Sequence, residues 1–276
     1  MISSALIRVG RRCSHRALNI ASLVLLVTSF HLSDASAEPI RVYEKQGSMH
    51  GFLVLKSTQG KVIAVGDQVN VVERNEVRSR LRFDFRDGSI DDEACVFEQG
   101  AVFRLISDHH IQKGPSFPQP LDLALNVPTG KVTWRQANGG NDEVKTERMD
   151  LPPDLSNGLT SLIVENFPQN AAEMKVPYLA VSSKPRVVNL SVRPIDKDTF
   201  YLAGVRRRSK RFNVHVEIGG LAGMVAPLIG KQPSDITMWV SDDEVPVFLR
   251  MKGALYEKGP IWTMELASPV WSETEK

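Results

Sequence analysis

A mainly β protein, with a single large antiparallel sheet curled into an incomplete or closed barrel and one packed amphipathic helix at about 155–167, is the fold this sequence predicts. Three observations carry that expectation. Apolar and polar residues alternate with period two through successive segments, glycine-containing turns punctuate those segments, and only one stretch switches to a helical period. Many short antiparallel strands with a single helix favour a curled sheet over a parallel one.

In chain order, GFLVLKS (51–57) and KVIAVGDQVNVVE (61–73) read as two strands meeting at Thr58-Gln59-Gly60, where glycine tolerates a positive φ. EVRSRLRFDFRDGS (76–89) alternates strictly. Val77, Ser79, Leu81, Phe83 and Phe85 take one face; Arg78, Arg80, Arg82, Asp84 and Arg86 take the other, the signature of a half-buried strand. Asp87-Gly88 supplies hairpin chemistry, and EACVFEQGAVFRLISDHHIQ (93–112) reads as the returning strand with a bulge near Gly100. LDLALNV (121–127), GKVTWRQ (130–136) and VKTERMDL (144–151) follow as further strands.

LPPDLSNGLTSLIVENF (151–167) then changes period, placing Leu155, Leu159, Leu162, Ile163 and Asn166 on one helical face, with Asp154 as the expected N-cap. The strand pattern resumes in 178–195, 199–208 and 211–218, with a possible seam near 168–185, and ends in 234–253 and 260–271. Between them GGLAGMVAPLIG (219–230) is too short to span a bilayer, and its glycines and Pro227 oppose a stable helix; a buried strand pair kinked at Gly223 is the expectation.

The first 37 residues have the form of a secretory signal peptide. Arg8, Arg11, Arg12 and Arg16 precede the apolar run 17–30, which ends at Ala35-Ser36-Ala37, an A-x-A cleavage pattern. Residues 38–276 then form a single β-rich domain, exported to the periplasm or beyond, with no mature transmembrane segment. The leader carries four arginines and one aspartate, so its removal takes the formal charge from +2 to −1. A near-neutral chain offers no global attraction to nucleic acid. Cys13 leaves with the leader, and Cys95 stays alone in an apolar alternation, where a buried inert thiol is expected.

Chemistry-bearing residues are few. The catalytic candidates are Asp108, His109 and His110 in SDHHIQKGPSFP (107–118). On a regular strand the two imidazoles point to opposite faces and cannot chelate one ion, and His50 and His215 show no converging spacing, so neither a metal site nor a cofactor is expected. Asp108 is adjacent in sequence to His109 and would need an irregular turn to act with a histidine. No activated-nucleophile motif accompanies them.

The stretch Trp239–Val247, WVSDDEVPV, resembles the late-strand signature of a domain-of-unknown-function family of exported Gram-negative envelope proteins, a W-x-S-D-D hairpin followed by Pro-Val. The Leu151-Pro-Pro-Asp-Leu155 helix start and the order of elements agree with it over roughly 45–268. The family carries no assigned activity, so the resemblance implies fold and compartment only. The chain is also broadly similar to half-barrel proteins that shelter lipids or lipoproteins in the periplasm. Read from its own residues, the signature is a turn: Ser241, Asp242 and Asp243 favour local backbone hydrogen bonds, and two adjacent carboxylates fall short of a hard-cation site.

Two surfaces remain as binding candidates. Phe83, Phe85, Phe103, Trp134 and Trp239 are expected to line an apolar concavity for a hydrophobic or lipid-like ligand. Arg78, Arg80 and Arg82, with Arg206, Arg207 and Arg208, form two cationic clusters suited to anionic envelope components, or else paired with neighbouring carboxylates. Non-enzymatic ligand binding is thus set against a His/Asp-dependent hydrolase or metal-assisted enzyme, and against a structural or assembly factor of the envelope.

Overall fold

A computed structural model describes residues 38–138, 141–181, 184–202, 204–219 and 232–267. The leader and, apart from Gly219, the 219–230 run lie outside the described residues.

Among the described residues, fourteen strands form one antiparallel sheet. In chain order they are β1 (Met49–Lys56), β2 (Val62–Glu73), β3 (Glu76–Phe85), β4 (Ile90–Gln99), β5 (Phe103–Lys113), β6 (Leu121–Asn126), β7 (Lys131–Asn138), β8 (Asn141–Arg148), β9 (Met174–Val181), β10 (Pro185–Leu202), β11 (Val205–Glu217), β12 (Ile236–Ser241), β13 (Phe248–Gly253) and β14 (Trp262–Leu266). Spatially the order runs from β8 back to β1, then from β14 back to β9. Two meanders are thus joined where β1 pairs with β14, at Leu53↔Leu266 through Lys56↔Thr263. The sheet does not close, because its end strands, β8 and β9, do not pair with each other.

The helix predicted over 155–167 is present and packed, but confined to α1 (Thr160–Glu165). Asp154 does not cap it. Leu159 occupies the N-cap position without a side-chain hydrogen bond, because a turn closed by Gly158 at φ +69 intervenes. The expected face is nevertheless buried: Leu155, Leu159, Leu162 and Ile163 share one core cluster with Phe97, Phe103 and Trp134 from the first meander and Val176, Leu190 and Phe212 from the second, and Asn166 is buried beside them. Residues 149–173 connect the two unpaired edge strands, and the middle of that connection folds into the curl as a plug.

Three segments read from the sequence as single strands contain hairpin turns. Residues 93–112 reverse at Gly100 and Ala101, giving β4 and β5 paired from Gln99↔Phe103 onward, and the bulge lies between Val96 and Phe97. Residues 178–195 likewise span β9 and β10, and Gly204, at φ +76, turns β10 into β11 within the 199–208 segment. The Gly60 and Gly88 turns have the positive φ that their sequence context anticipates, +77 and +85.

The edges are covered or charged, as exposed strand edges require. The outer edge of β9 gives its carbonyls and an N–H to the plug and to the segment before β1: Ser156 N–H reaches Pro177 O (2.9 Å), Leu179 N–H reaches Asn157 Oδ1 (2.8 Å), and Glu38 N–H reaches Lys175 O (2.8 Å). β8 carries Glu143, Lys145, Glu147 and Arg148.

Candidate functional site

Period-two geometry in β4 and β5 sends Asp91, Glu93, Cys95 and Phe97 into the curl, opposite Asp108 and His110. His109 and His110 diverge. His109 Nε2 lies at the surface, 3.0 Å from Asp122 Oδ1, while His110 Nε2 is 2.7 Å from Asp91 Oδ1 and its Nδ1 is 3.9 Å from Glu93 Oε1. His50 and His215 are each held by an aspartate of their own, Asp67 at 2.9 Å and Asp235 at 2.6 Å. Among the described residues no three His, Cys, Asp or Glu side chains are grouped to hold a metal ion.

Asp108 shares the inward face with His110 two residues on. An irregular turn is therefore unnecessary to bring an aspartate toward a histidine here; the regular pleat does it, with His110 and not His109. Asp108 is only 2 % exposed, and neither carboxyl oxygen has a hydrogen-bond partner of normal geometry; the His109 backbone N–H polarises the group without making one. Trp134 Nε1, facing the same interior from β7, is also buried and unpartnered. A buried polar atom left unpaired costs about 1–3 kcal/mol, so two in one interior are a departure from ordinary core construction.

The electrostatics follow from burial. Desolvation, then the Glu93 charge, holds Asp108 well above the ordinary carboxyl range; desolvation likewise raises Glu93, against the His110 charge. Burial alone would lower His110, but the Glu93 charge and the Asp91 hydrogen bond and charge overcome it and raise the imidazole to about 9. Burial, with the Glu93 and Asp108 charges, pushes the Cys95 thiol well up, and burial keeps the Tyr178 phenol protonated. Under the plug, the imidazole and the thiol are thus both held toward their protonated forms.

The cover is the plug's Ser156-Asn157-Gly158 turn. Cys95 Sγ donates to Gly158 O (3.6 Å), Ser156 Oγ donates to Pro177 O (2.7 Å), and Asn157 Nδ2 donates to Leu179 O (3.0 Å). The turn therefore bridges β4 to β9 across the curl. At the far end of α1, Glu165 accepts the Phe248 N–H (3.0 Å) and the Gln46 side-chain amide (3.1 Å), and Asn166 Oδ1 accepts the Tyr43 and Glu44 N–H groups (2.9 and 2.8 Å). Burial raises Glu165 to about 7 despite those hydrogen bonds.

The five aromatics proposed for a concavity do not form one lining. Phe103 and Trp134 belong to the plugged core, and Phe83 and Phe85 to a second cluster beside Phe117 and Trp262; all four are buried. Trp239 faces the other way. Its neighbour Met238 points inward, whereas Trp239 packs with Phe200 and Leu249 on the outer face, under Arg211 and Arg250 at 6.0 and 5.7 Å, and donates to Asp198 Oδ2 (3.1 Å). Ser241 closes the following loop by accepting the Val247 N–H (3.0 Å), and Asp242 bridges Lys197 and Lys210.

The arginine ladder lies on the outer face and is paired. Arg80 makes a bidentate contact with Asp92 (2.8 and 2.6 Å), Arg82 reaches Asp84 and Asp92, and Arg78 holds Glu76. Arg206, Arg207 and Arg208 are exposed on the β10–β11 hairpin, beyond the last β12 pairing at Ser209↔Ser241, and no carboxylate among the described residues forms an ion pair with them. Sequence reasoning passed over Asp91 and Glu93, although acids alternating with Cys95 and Phe97 on an apolar face were a readable signal. Gly158 and Glu165 carried none, since their partners lie far away in sequence.

Compared with models of known protein families and with curated protein sequences, the chain matches none.

Proposed function

We propose that this is an exported, non-enzymatic envelope protein that binds a hydrophobic or lipid-like ligand on the concave face of its sheet, where the plug now lies. One observation carries the reading: the apolar interior of an unclosed sheet is filled by the connection between its own edge strands, only six residues of which are helical. A sheet whose two end strands are not paired with each other can widen without breaking a strand ladder, whereas a closed barrel cannot.

The exchange is energetically balanced. Burying a large aliphatic side chain is worth about 1.5–3 kcal/mol, so the plug's handful of leucine, isoleucine and valine side chains contributes on the order of 10 kcal/mol as an upper bound. An alkyl chain of about 12–16 carbons, at roughly 0.8 kcal/mol per methylene, offers as much. Export is supported by the leader-like residues 1–37, and Arg206, Arg207 and Arg208 are cations free to meet an anionic envelope component.

Native mass spectrometry of protein purified from its own host tests the reading. A co-purifying apolar species, released by organic extraction, is the expected result. Protein that is free of ligand and takes up no alkyl amphiphile afterwards would overturn it.

A further inference from the structure

A ligand that is merely oily would need no polar groups behind the plug, yet the face the plug covers is not uniformly apolar. Asp91, Glu93, Asp108 and His110 converge beneath the Ser156-Asn157-Gly158 turn, three carboxyls around one imidazole. Two features point outward from this cluster to an absent partner. Asp108 is almost wholly buried with neither oxygen in a hydrogen bond of normal geometry, and Gly158, where an added Cβ would lie 3.3 Å from Asp108 Oδ1, seats the plug directly on it. With the plug displaced, Asp108 and Glu93 would both face the space it leaves.

Resting on the ligand-binding reading above, we infer that this cluster is a head-group subsite for the ammonium of a cationic amphiphile, whose N⁺–H donors supply the missing partner of Asp108 and reach the neighbouring Glu93. The chemistry selects for charge sign. An ammonium brings donors and positive charge to a site where carboxyls outnumber the imidazole, and charge-assisted bonds of this kind are about twice as strong as neutral ones. A carboxylate head group would bring no donor to either acid. A neutral alcohol would bring a single weaker donor. Under the turn, burial holds Asp108 toward its neutral form; an ammonium provides the counter-charge that lets it ionise.

Isothermal titration of the mature chain with dodecylammonium and dodecanoate below their micellar concentrations, and with dodecanol below its solubility limit, separates the head group from the alkyl chain. The expected result is dodecylammonium bound at least about tenfold more tightly than either of the others, the scale of a close charge pair. Asp108→Asn should erase most of that preference; Glu93→Gln serves the same purpose should the first variant fail to fold. Dodecanol bound as tightly as dodecylammonium, dodecanoate bound most tightly, or a preference that survives both substitutions would overturn the head-group assignment and leave the hydrophobic face standing. No binding of any of the three would remove the ligand-binding reading itself, and this subsite with it.

Discussion

Gly158→Ala lowers the melting temperature by about 5–15 °C, the largest single-residue effect expected from the plug. The left-handed backbone costs an L-residue about 1–2 kcal/mol, and overpacking a filled interior costs about 1–3 more; for a domain of this size each kcal/mol moves the midpoint by about 2–4 °C. Gly158 has φ +69, and an added Cβ would lie 2.8 Å from Cys95 Cβ, 2.9 Å from its Sγ and 3.3 Å from Asp108 Oδ1. Gly88 is the internal control. Its φ is +85 but nothing lies within 4 Å of an added Cβ, so Gly88→Ala should show only the backbone part, a loss of about 1–2 kcal/mol. Thermal melts of both variants beside wild type decide the matter. Equal losses would mean that the turn is not seated on Cys95 and Asp108.

Stability falls as pH rises from 5.5 to 9. His110, raised from 6.5 to about 9, contributes stability that is fully present below about 6.5 and is lost as pH passes through 9. Glu165, raised from 4.5 to about 7, also binds its proton more tightly in the folded state, so its term is fully present below about 4.5 and is lost as pH climbs through 7. Each displacement corresponds to about 3 kcal/mol. The outer-face carboxylates act in the opposite sense. Asp84 and Asp92, held low by hydrogen bonds from Arg82 and Arg80, lose their contribution only in acid, below the ordinary carboxyl range. Urea midpoints at pH 5.5, 7 and 9 should decline in that order, and Glu165→Gln should flatten the step between 5.5 and 7 while leaving the step to pH 9. A midpoint that rises toward pH 9 would contradict the burial of both groups.

The sheet was legible in the sequence because alternation is a local signal. β3 follows the reading side chain by side chain: Val77, Phe83 and Phe85 are buried, while Arg78, Arg80 and Arg82 lie outside. Two hairpins were hidden by the same signal. Phe97 and Gln99 on β4 and Phe103 and Leu105 on β5 are all odd-numbered and all inward, so the period runs unbroken through the turn at Gly100. Val176 on β9 and Val188, Leu190 and Val192 on β10 repeat the pattern with even numbers. The helix was over-extended because Leu155 and Leu159 keep a helical spacing in a stretch that is a turn, and the positive φ at Gly158 is visible only in the backbone. For the site, period two already placed Asp108 with His110; comparing Asp108 with its nearest neighbour, His109, obscured it. The contact between that pair and a turn some fifty residues on is tertiary, and no spacing announces it. Trp239 shows the converse: an aromatic on a strand names no face until the register with Arg211 and Arg250 is known.

Central to the account is that the plug and the ligand compete for one concave face. Amide hydrogen exchange across residues 155–166, measured with and without saturating dodecylammonium, tests this most directly, because those amides belong to the plug while the flanking strands report the sheet. The account predicts exchange faster by at least about tenfold in the plug on ligand addition, with β4, β5 and β9 unchanged or slowed. Plug amides that stay as protected as the sheet while ligand is bound would contradict it, since the ligand would then occupy some other surface.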